Sequence, residues 1–264
     1  MSVVSIIARM VKKVVPVLPP TDTLLFIFNG ESNSGGLGAN SGATSHELSV
    51  RSSIQILNNY TLLFEDLHIG VNNILQHAGF NDSGPNNQNH GWELGLANKV
   101  EANAFPQTQA HLVKTGQGGS LINEWNVGGD YMNKFTNRIT AAISGLTSSG
   151  KTYQPVIFYT QGINDFGTTD SYVWKTATIN HFADLRNIIG GTIPIMMTML
   201  PPTSQSGNIN SDIFNQRILE IADTDPLVYA IQTSDAELRD VNHWDYSGMK
   251  LIASRMVDKT LELL

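Results

Sequence analysis

The chain has 264 residues, 41% of them apolar and 15% charged, with a net charge of −7. That length can bury a sizeable core within one domain, and the acidic balance lacks the basic footprint that nucleic acid demands. No cysteine is present, which excludes disulfides, thiolate nucleophiles and cysteine-based metal sites.

Residues 1–20, MSVVSIIARMVKKVVPVLPP, can form an apolar helix face interrupted by Arg9, Lys12 and Lys13. The positive charge does not precede the apolar run and no small-residue cleavage site follows, so the pattern of a secretory signal is not met. The stretch is also too short and too charged to span a membrane. It reads as an apolar and basic arm of unassigned role ahead of a domain over residues 21–264, joined to it through Pro16, Pro19 and Pro20. The compartment stays open between the cytoplasm and export by another route, and stable membrane insertion is not expected.

The first apolar run, Leu24 to Phe28, is continuous and then gives way to Asn29, Gly30, Glu31, Ser32, Asn33 and Ser34. A strand ending this way presents a serine hydroxyl at its carboxyl edge. The hydrolase elbow G-x-S-x-G is not satisfied, because Ser34 stands at the final glycine position. A hairpin follows, Ser53 to Leu57 and Leu62 to Asp66 joined through Asn58–Thr61, and then a turn-rich loop over 81–90. Both read as decorations near the rim of a sheet. Asn59-Tyr60-Thr61 and Asn81-Asp82-Ser83 match glycosylation acceptors, which carry no meaning without a secretory context. Glu93 suits the start of a helix, where the dipole favours an anion.

The second run, Ala110 to Val113, leads to Gly118 and Gly119. Such a pair lets backbone amides approach a ligand with no side chain intervening. Met132, Phe135, Ile139, Ala142 and Leu146 then recur at helical spacing. Gly145–Thr152 matches the phosphate-loop pattern letter for letter, but a helix leads into it and a strand follows. Phosphate binding needs the reverse order, so nucleotide binding is rejected. The third run, Val156 to Tyr159, ends in Gln161-Gly-Ile-Asn164-Asp165, which brings a carboxamide donor to the same edge. A fourth run spans Ile193 to Leu200, and a helical face carries Ile213, Phe214, Ile218 and Ile221. The fifth, Leu227 to Ile231, precedes Asp240 and His243 and a last helix bearing Met249, Ile252, Ala253, Met256 and Val257. Three residues apart before a helix, Asp240 can reach one ring nitrogen of His243 and leave the other free to take a hydroxyl proton.

Five continuous apolar runs alternating with helices imply an α/β chain, a three-layer α/β/α sandwich around a mainly parallel five-stranded sheet. Such sheets take ligands at the carboxyl ends of their strands. Each motif alone has a plain reading: Ser32 as a helix cap, the glycine pair as a turn, Asn164-Asp165 as a strand end, His243 as a partly buried histidine. Convergence of all four on successive strand ends favours a shared site.

The blocks G-E-S-N, G-Q-G-G-S-L-I-N-E-W, Q-G-I-N-D and D-V-N-H-W resemble the four signature blocks of the SGNH hydrolase superfamily. Among its branches they are most similar to the sialate O-acetylesterase and acetyl-xylan esterase-like group, carbohydrate esterase family six. Gly91-Trp92-Glu93 resembles that group's G-P-E entry to a helix. The resemblance runs from about Thr23 to the C-terminus. It implies a flavodoxin-like SGNH fold and a serine esterase acting on short acyl esters, acetyl above all, of carbohydrates.

In that scheme Ser32 is the nucleophile, His243 the base and Asp240 its orienting carboxylate. The Ser32 and Gly118 amides with the Asn164 side chain form the oxyanion hole, and no metal or organic cofactor is needed. Glu31, Gly119, Trp125, Gln161 and Trp244 are candidate substrate contacts, the two tryptophans being equally suited to anchoring loops in the core. Two departures stand out. Glu31 replaces the group's usual glutamine before the nucleophile, and the third block reads Q-G-I-N-D where Q-G-E-x-D is common. A thioesterase or lipid-directed esterase of the same superfamily, and a non-catalytic carbohydrate-binding or adhesion module on this fold, are the competing expectations. Substrate identity and oligomeric state are not encoded in any motif.

Overall fold

The computed structural model describes residues 17–73, 88–106 and 108–264. The arm before residue 17, and residues 81–87 of the turn-rich loop with the Asn81 triplet, lie outside the described residues. In chain order the first half forms β1 (Thr23–Gly30), α1 (Ser32–Gly35), β2 (Gly38–Ala39), β3 (Val50–Leu57), β4 (Phe64–His68), β5 (Asn89–His90), α2 (Trp92–Glu101) and β6 (Gln109–Lys114). The second half forms α3 (Asp130–Ser148), β7 (Tyr153–Thr160), α4 (Ser171–Ile189), β8 (Ile195–Thr198), α5 (Thr203–Ser206), α6 (Ser211–Thr224), β9 (Val228–Ile231) and α7 (Tyr246–Leu261).

Alternation along β1 explains its unbroken apolar sequence. Leu24, Phe26 and Phe28 point into one apolar layer with α2 and α7, while Leu25 and Ile27 point into the other. That second layer is built with Met132, Phe135 and Ile139 of α3, Phe182 and Leu185 of α4 and Ile218 and Ile221 of α6. A strand covered on both faces has no solvent side to mark with polar residues. Each such side chain, fully buried, contributes about 1.5–3 kcal/mol. The result is the expected helix–sheet–helix sandwich.

The sheet order is β4-β3-β6-β1-β7-β8-β9, seven strands rather than five. All five expected parallel strands are present. The two further strands are the hairpin: β3 pairs parallel with β6 through Ile54–Ala110 and Ile56–Leu112, and β4 pairs antiparallel with β3 at the outer edge. The hairpin therefore extends the central sheet and is not a rim decoration. Its half-exposed, bulged sequence carries no local sign of the parallel partner more than fifty residues on.

Helix α4 was not anticipated from the sequence. Its buried face runs Trp174, Thr178, His181, Phe182, Leu185 and Ile189, so two polar residues interrupt the apolar period. Asp170 caps it by accepting from the Tyr172 and Val173 amides. The connection after residue 17 docks early, with Leu18 buried and its amide donating to the Leu263 carbonyl at 2.6 Å. Gly145–Thr152 runs from the end of α3 into β7, with Thr152 bonded to Asp22. No helix among the described residues is long and apolar enough to cross a membrane.

Candidate active site

The carboxyl ends of β1, β6 and β7 meet in a tightly bonded edge. Gly30 adopts φ +117°, and a Cβ there would fall 1.8 Å from the Thr160 carbonyl oxygen, so only glycine lets β1 and β7 close here. The Glu31 amide donates to Thr160 O at 2.8 Å, and the Gln117 amide to Gly30 O at 2.8 Å. Ser32 then opens the short helical turn α1, which closes as the Ser34 and Gly35 amides donate to the Glu31 carbonyl at 3.0 and 3.3 Å.

Across the edge, the loop after β9 folds back so that the Arg239 amide donates to the His243 carbonyl at 2.8 Å. Within that turn Asp240 Oδ1 accepts from the Asn242 and His243 amides at 2.9 and 3.0 Å. Both Asp240 oxygens lie 2.9 Å from His243 Nδ1. The other ring nitrogen, Nε2, lies 3.0 Å from Ser32 Oγ. Burial alone would raise the Asp240 carboxyl, but the Asn242 amide and the imidazole outweigh it and hold the group below the usual carboxylate range. Ser32 is 7% exposed, and the His243 side chain 23% exposed, so the hydroxyl is sheltered and the imidazole is open to a ligand.

Asn33 ties the two loops together, a role the sequence reading did not assign. Its Nδ2 donates to the Asn242 carbonyl at 2.9 Å, and its Oδ1 accepts from the Trp244 amide at 3.4 Å. The available signal was its place beside Ser32 in the first block. Arg239 adds a second tie, donating to Leu37 O at 2.8 Å and Asn89 Oδ1 at 2.9 Å.

The remaining candidates divide. Gly118 is half-buried in the turn after β6, and Gly119 is exposed at φ +74° with open space where a Cβ would stand. Asn164 is half-buried at the end of β7, and its Nδ2 donates to Glu31 Oε2 at 2.7 Å. The other four expected substrate contacts are not available to a substrate. Trp125 is 2% exposed, packs against Tyr131 and His181, and donates from Nε1 to Ser120 Oγ. Trp244 has no exposed surface and belongs to the α2/α7 layer. Both rings anchor loops, since their large apolar area gains more from the core than from the rim. Gln161 is fully buried and bridges the Ser120 carbonyl at 2.8 Å and Asp165 Oδ2 at 3.0 Å. Glu31 is fully buried too and turns its carboxyl inward to the amides of Ile163 and Asn164.

Beneath the edge lies a second buried carboxylate. Glu93 accepts from the Gly91 amide at 2.7 Å, Asn73 Nδ2 at 2.7 Å and Lys114 Nζ at 2.9 Å, so it braces β6 as well as starting α2. A cavity of about 760 Å³, lined by Ser53, Phe64, His111, Leu146 and Lys151, sits at the opposite, amino-terminal end of the strands. It shares no residue with the Ser32–His243 pair.

A hydroxyl, an imidazole and a carboxylate bonded in series can activate an oxygen nucleophile. Residues 22–262 match the family described as carbohydrate esterase, sialic acid-specific acetylesterase. No curated protein matches the chain in sequence. A solved Arabidopsis thaliana protein superposes at a TM-score of 0.73 with 19% identity, over 92% of this chain and 99% of that one. The structure of NanS superposes at 0.64 with 12% identity, over 93% and 98%. At these identities the two likenesses establish a shared fold.

Proposed function

The chain belongs to the sialic acid-specific acetylesterase family of carbohydrate esterases, and from that we propose a serine esterase that removes short acyl groups, acetyl first among them, from sugars by way of an acyl-enzyme. Residues 21–264 form its catalytic unit in this reading. The observation that carries it is the 3.0 Å contact between Ser32 Oγ and His243 Nε2, with Asp240 2.9 Å behind the ring.

His243 Nε2 takes the Ser32 proton as Oγ attacks the ester carbonyl. Asp240 accepts from Nδ1–H, which fixes the tautomer and stabilises the imidazolium. The carbonyl oxygen becomes an oxyanion, received by the Ser32 and Gly118 amides and the second hydrogen of Asn164 Nδ2. Collapse of the tetrahedral adduct releases the sugar alcohol, which takes its proton from His243, and leaves the acyl group on Ser32. Water, deprotonated by His243, then attacks the acyl carbonyl; the second adduct collapses as His243 returns the proton to the departing Ser32 Oγ, freeing the carboxylic acid and restoring the hydroxyl. With Trp125 and Trp244 buried, recognition of the sugar falls to the polar loops around Gly119 and Asn242.

The test is acetate release from a panel of acetylated glycans, run with the Ser32→Ala protein. Wild type releases acetate and forms an acyl adduct on Ser32 by mass spectrometry; equal turnover by Ser32→Ala would refute the nucleophile. A preference for acyl chains of roughly eight carbons or more, as burial of successive methylenes would produce, would turn the reading toward a lipid-directed esterase.

A further inference from the structure

Glu31 stands immediately before Ser32 and has no exposed surface. Its backbone joins β1 to β7 through the Thr160 carbonyl, and its own carbonyl accepts from the Ser34 amide at 3.0 Å and the Ser34 hydroxyl at 2.5 Å. Its side chain reaches the loop after β7. Oε1 accepts from the Ile163 amide at 3.0 Å, and Oε2 accepts from the Asn164 amide at 3.3 Å and Asn164 Nδ2 at 2.7 Å. A carboxamide nitrogen carries two hydrogens. With one fixed on Oε2, the direction of the other is set.

All three donors are neutral amides. The ionisable groups that couple to Glu31 are Asp165 on the same loop and Tyr159 on β7, and His243 stands on the far side of Ser32. Burial, with the nearby Asp165 and against the amide donors, pushes the Glu31 carboxyl up to about 8. A neutral carboxyl keeps a carbonyl oxygen, which suits Oε2 with its two donors.

We propose that Glu31 is a positioning residue of the oxyanion hole: its buried carboxyl holds one hydrogen of Asn164 Nδ2 and so aims the other at the developing oxyanion. This rests on Ser32 as nucleophile. Ionised, Glu31 would set a full negative charge one residue from the reacting centre, in a site with little water to screen it, and oppose the charge that the transition state creates. The residue therefore acts through Asn164 and through its own proton, without touching the substrate.

The experiment follows kcat and KM on an acetylated sugar from about pH 6 to about pH 9.5 for wild type and Glu31→Gln, with Ser32→Ala as the blank for spontaneous hydrolysis. Wild-type kcat is expected to fall as pH rises through about 8, by about tenfold for each further unit. The Glu31→Gln enzyme keeps an acceptor for Asn164 and has no proton to lose, so its kcat stays level there and lies within about threefold of wild type near neutrality. Glu31→Leu removes every acceptor and lowers kcat by ~10²–10³ with little change in KM, and adding Asn164→Ala lowers it no further. An alkaline limb equally steep in the Glu31→Gln enzyme would overturn the proposal while leaving the esterase intact. Additive losses in the Glu31→Leu/Asn164→Ala pair would do the same. Wild-type turnover by Ser32→Ala would overturn the nucleophile and this inference with it.

Discussion

Glu31 and Glu93 are both glutamates with no exposed surface, both near the carboxyl ends of central strands, and both take three hydrogen bonds. They nevertheless hold their protons differently. Burial would raise Glu93, but the Lys114 ammonium, the Gly91 amide and Asn73 hold it below the usual carboxylate range. Glu31, given amides only, rises to about 8. Desolvation is the largest influence on both carboxylates. A formal counter-charge decides which of them can stay ionised.

The largest effect is expected on the charged side. Lys114→Met leaves Glu93 buried without its cation and should cost ~3–5 kcal/mol in denaturant unfolding. Adding Glu93→Gln should recover most of that loss, because the orphaned charge is then gone. A Lys114→Met protein as stable as wild type would erase the distinction between the two glutamates.

Glu31→Gln comes next, and its sign is opposite. The folded carboxyl titrates at about 8 against an ordinary 4.5, so the folded state holds the extra proton between those values. Its stabilising contribution is complete below about 4.5 and is lost as pH rises toward 8. Wild-type melting temperature should therefore decline across that window more steeply than that of Glu31→Gln, with a gap of roughly 2–4 kcal/mol at its alkaline end. Parallel slopes would show that Glu31 is ionised throughout.

The smallest effect belongs to Asn73→Ala, which removes one of three donors to Glu93 while keeping Lys114. About 1–2 kcal/mol is expected. Glu93 has a lowered pKa, so its contribution is present above the unfolded value and lost as pH falls. Asn73→Ala should then move the acid unfolding midpoint to higher pH and leave the alkaline side unchanged. Acid titration followed by circular dichroism reads this directly.

The five parallel strands were legible because burial on both faces writes itself as a contiguous apolar run, as in Leu24–Phe28. The Asp240–His243 turn was legible because its geometry is local, three residues long, with the amides of one turn on one carboxylate. The seventh-strand edge was not, since β3 reveals its parallel partner only through β6. Trp125 and Trp244 were ambiguous because an indole suits a core and a sugar equally, and only their burial decides. The role of Glu31 was hidden for a further reason: its donors lie 132 and 133 residues downstream. The sequence marked the residue as unusual, but the loop that encloses it comes from another strand.

The pairing of Ser32 with His243 spans 211 residues, and Asn33 fastens the same two loops. Nearly the whole chain must be in place before the hydroxyl meets the imidazole, and closing so long an interval is slow relative to helix formation. Turnover is therefore a reporter of complete assembly. During refolding, far-ultraviolet signal should return first, and ester cleavage only when α7 and the loop before it have docked. A protein nicked between α4 and β8 should regain catalysis only when its two fragments recombine.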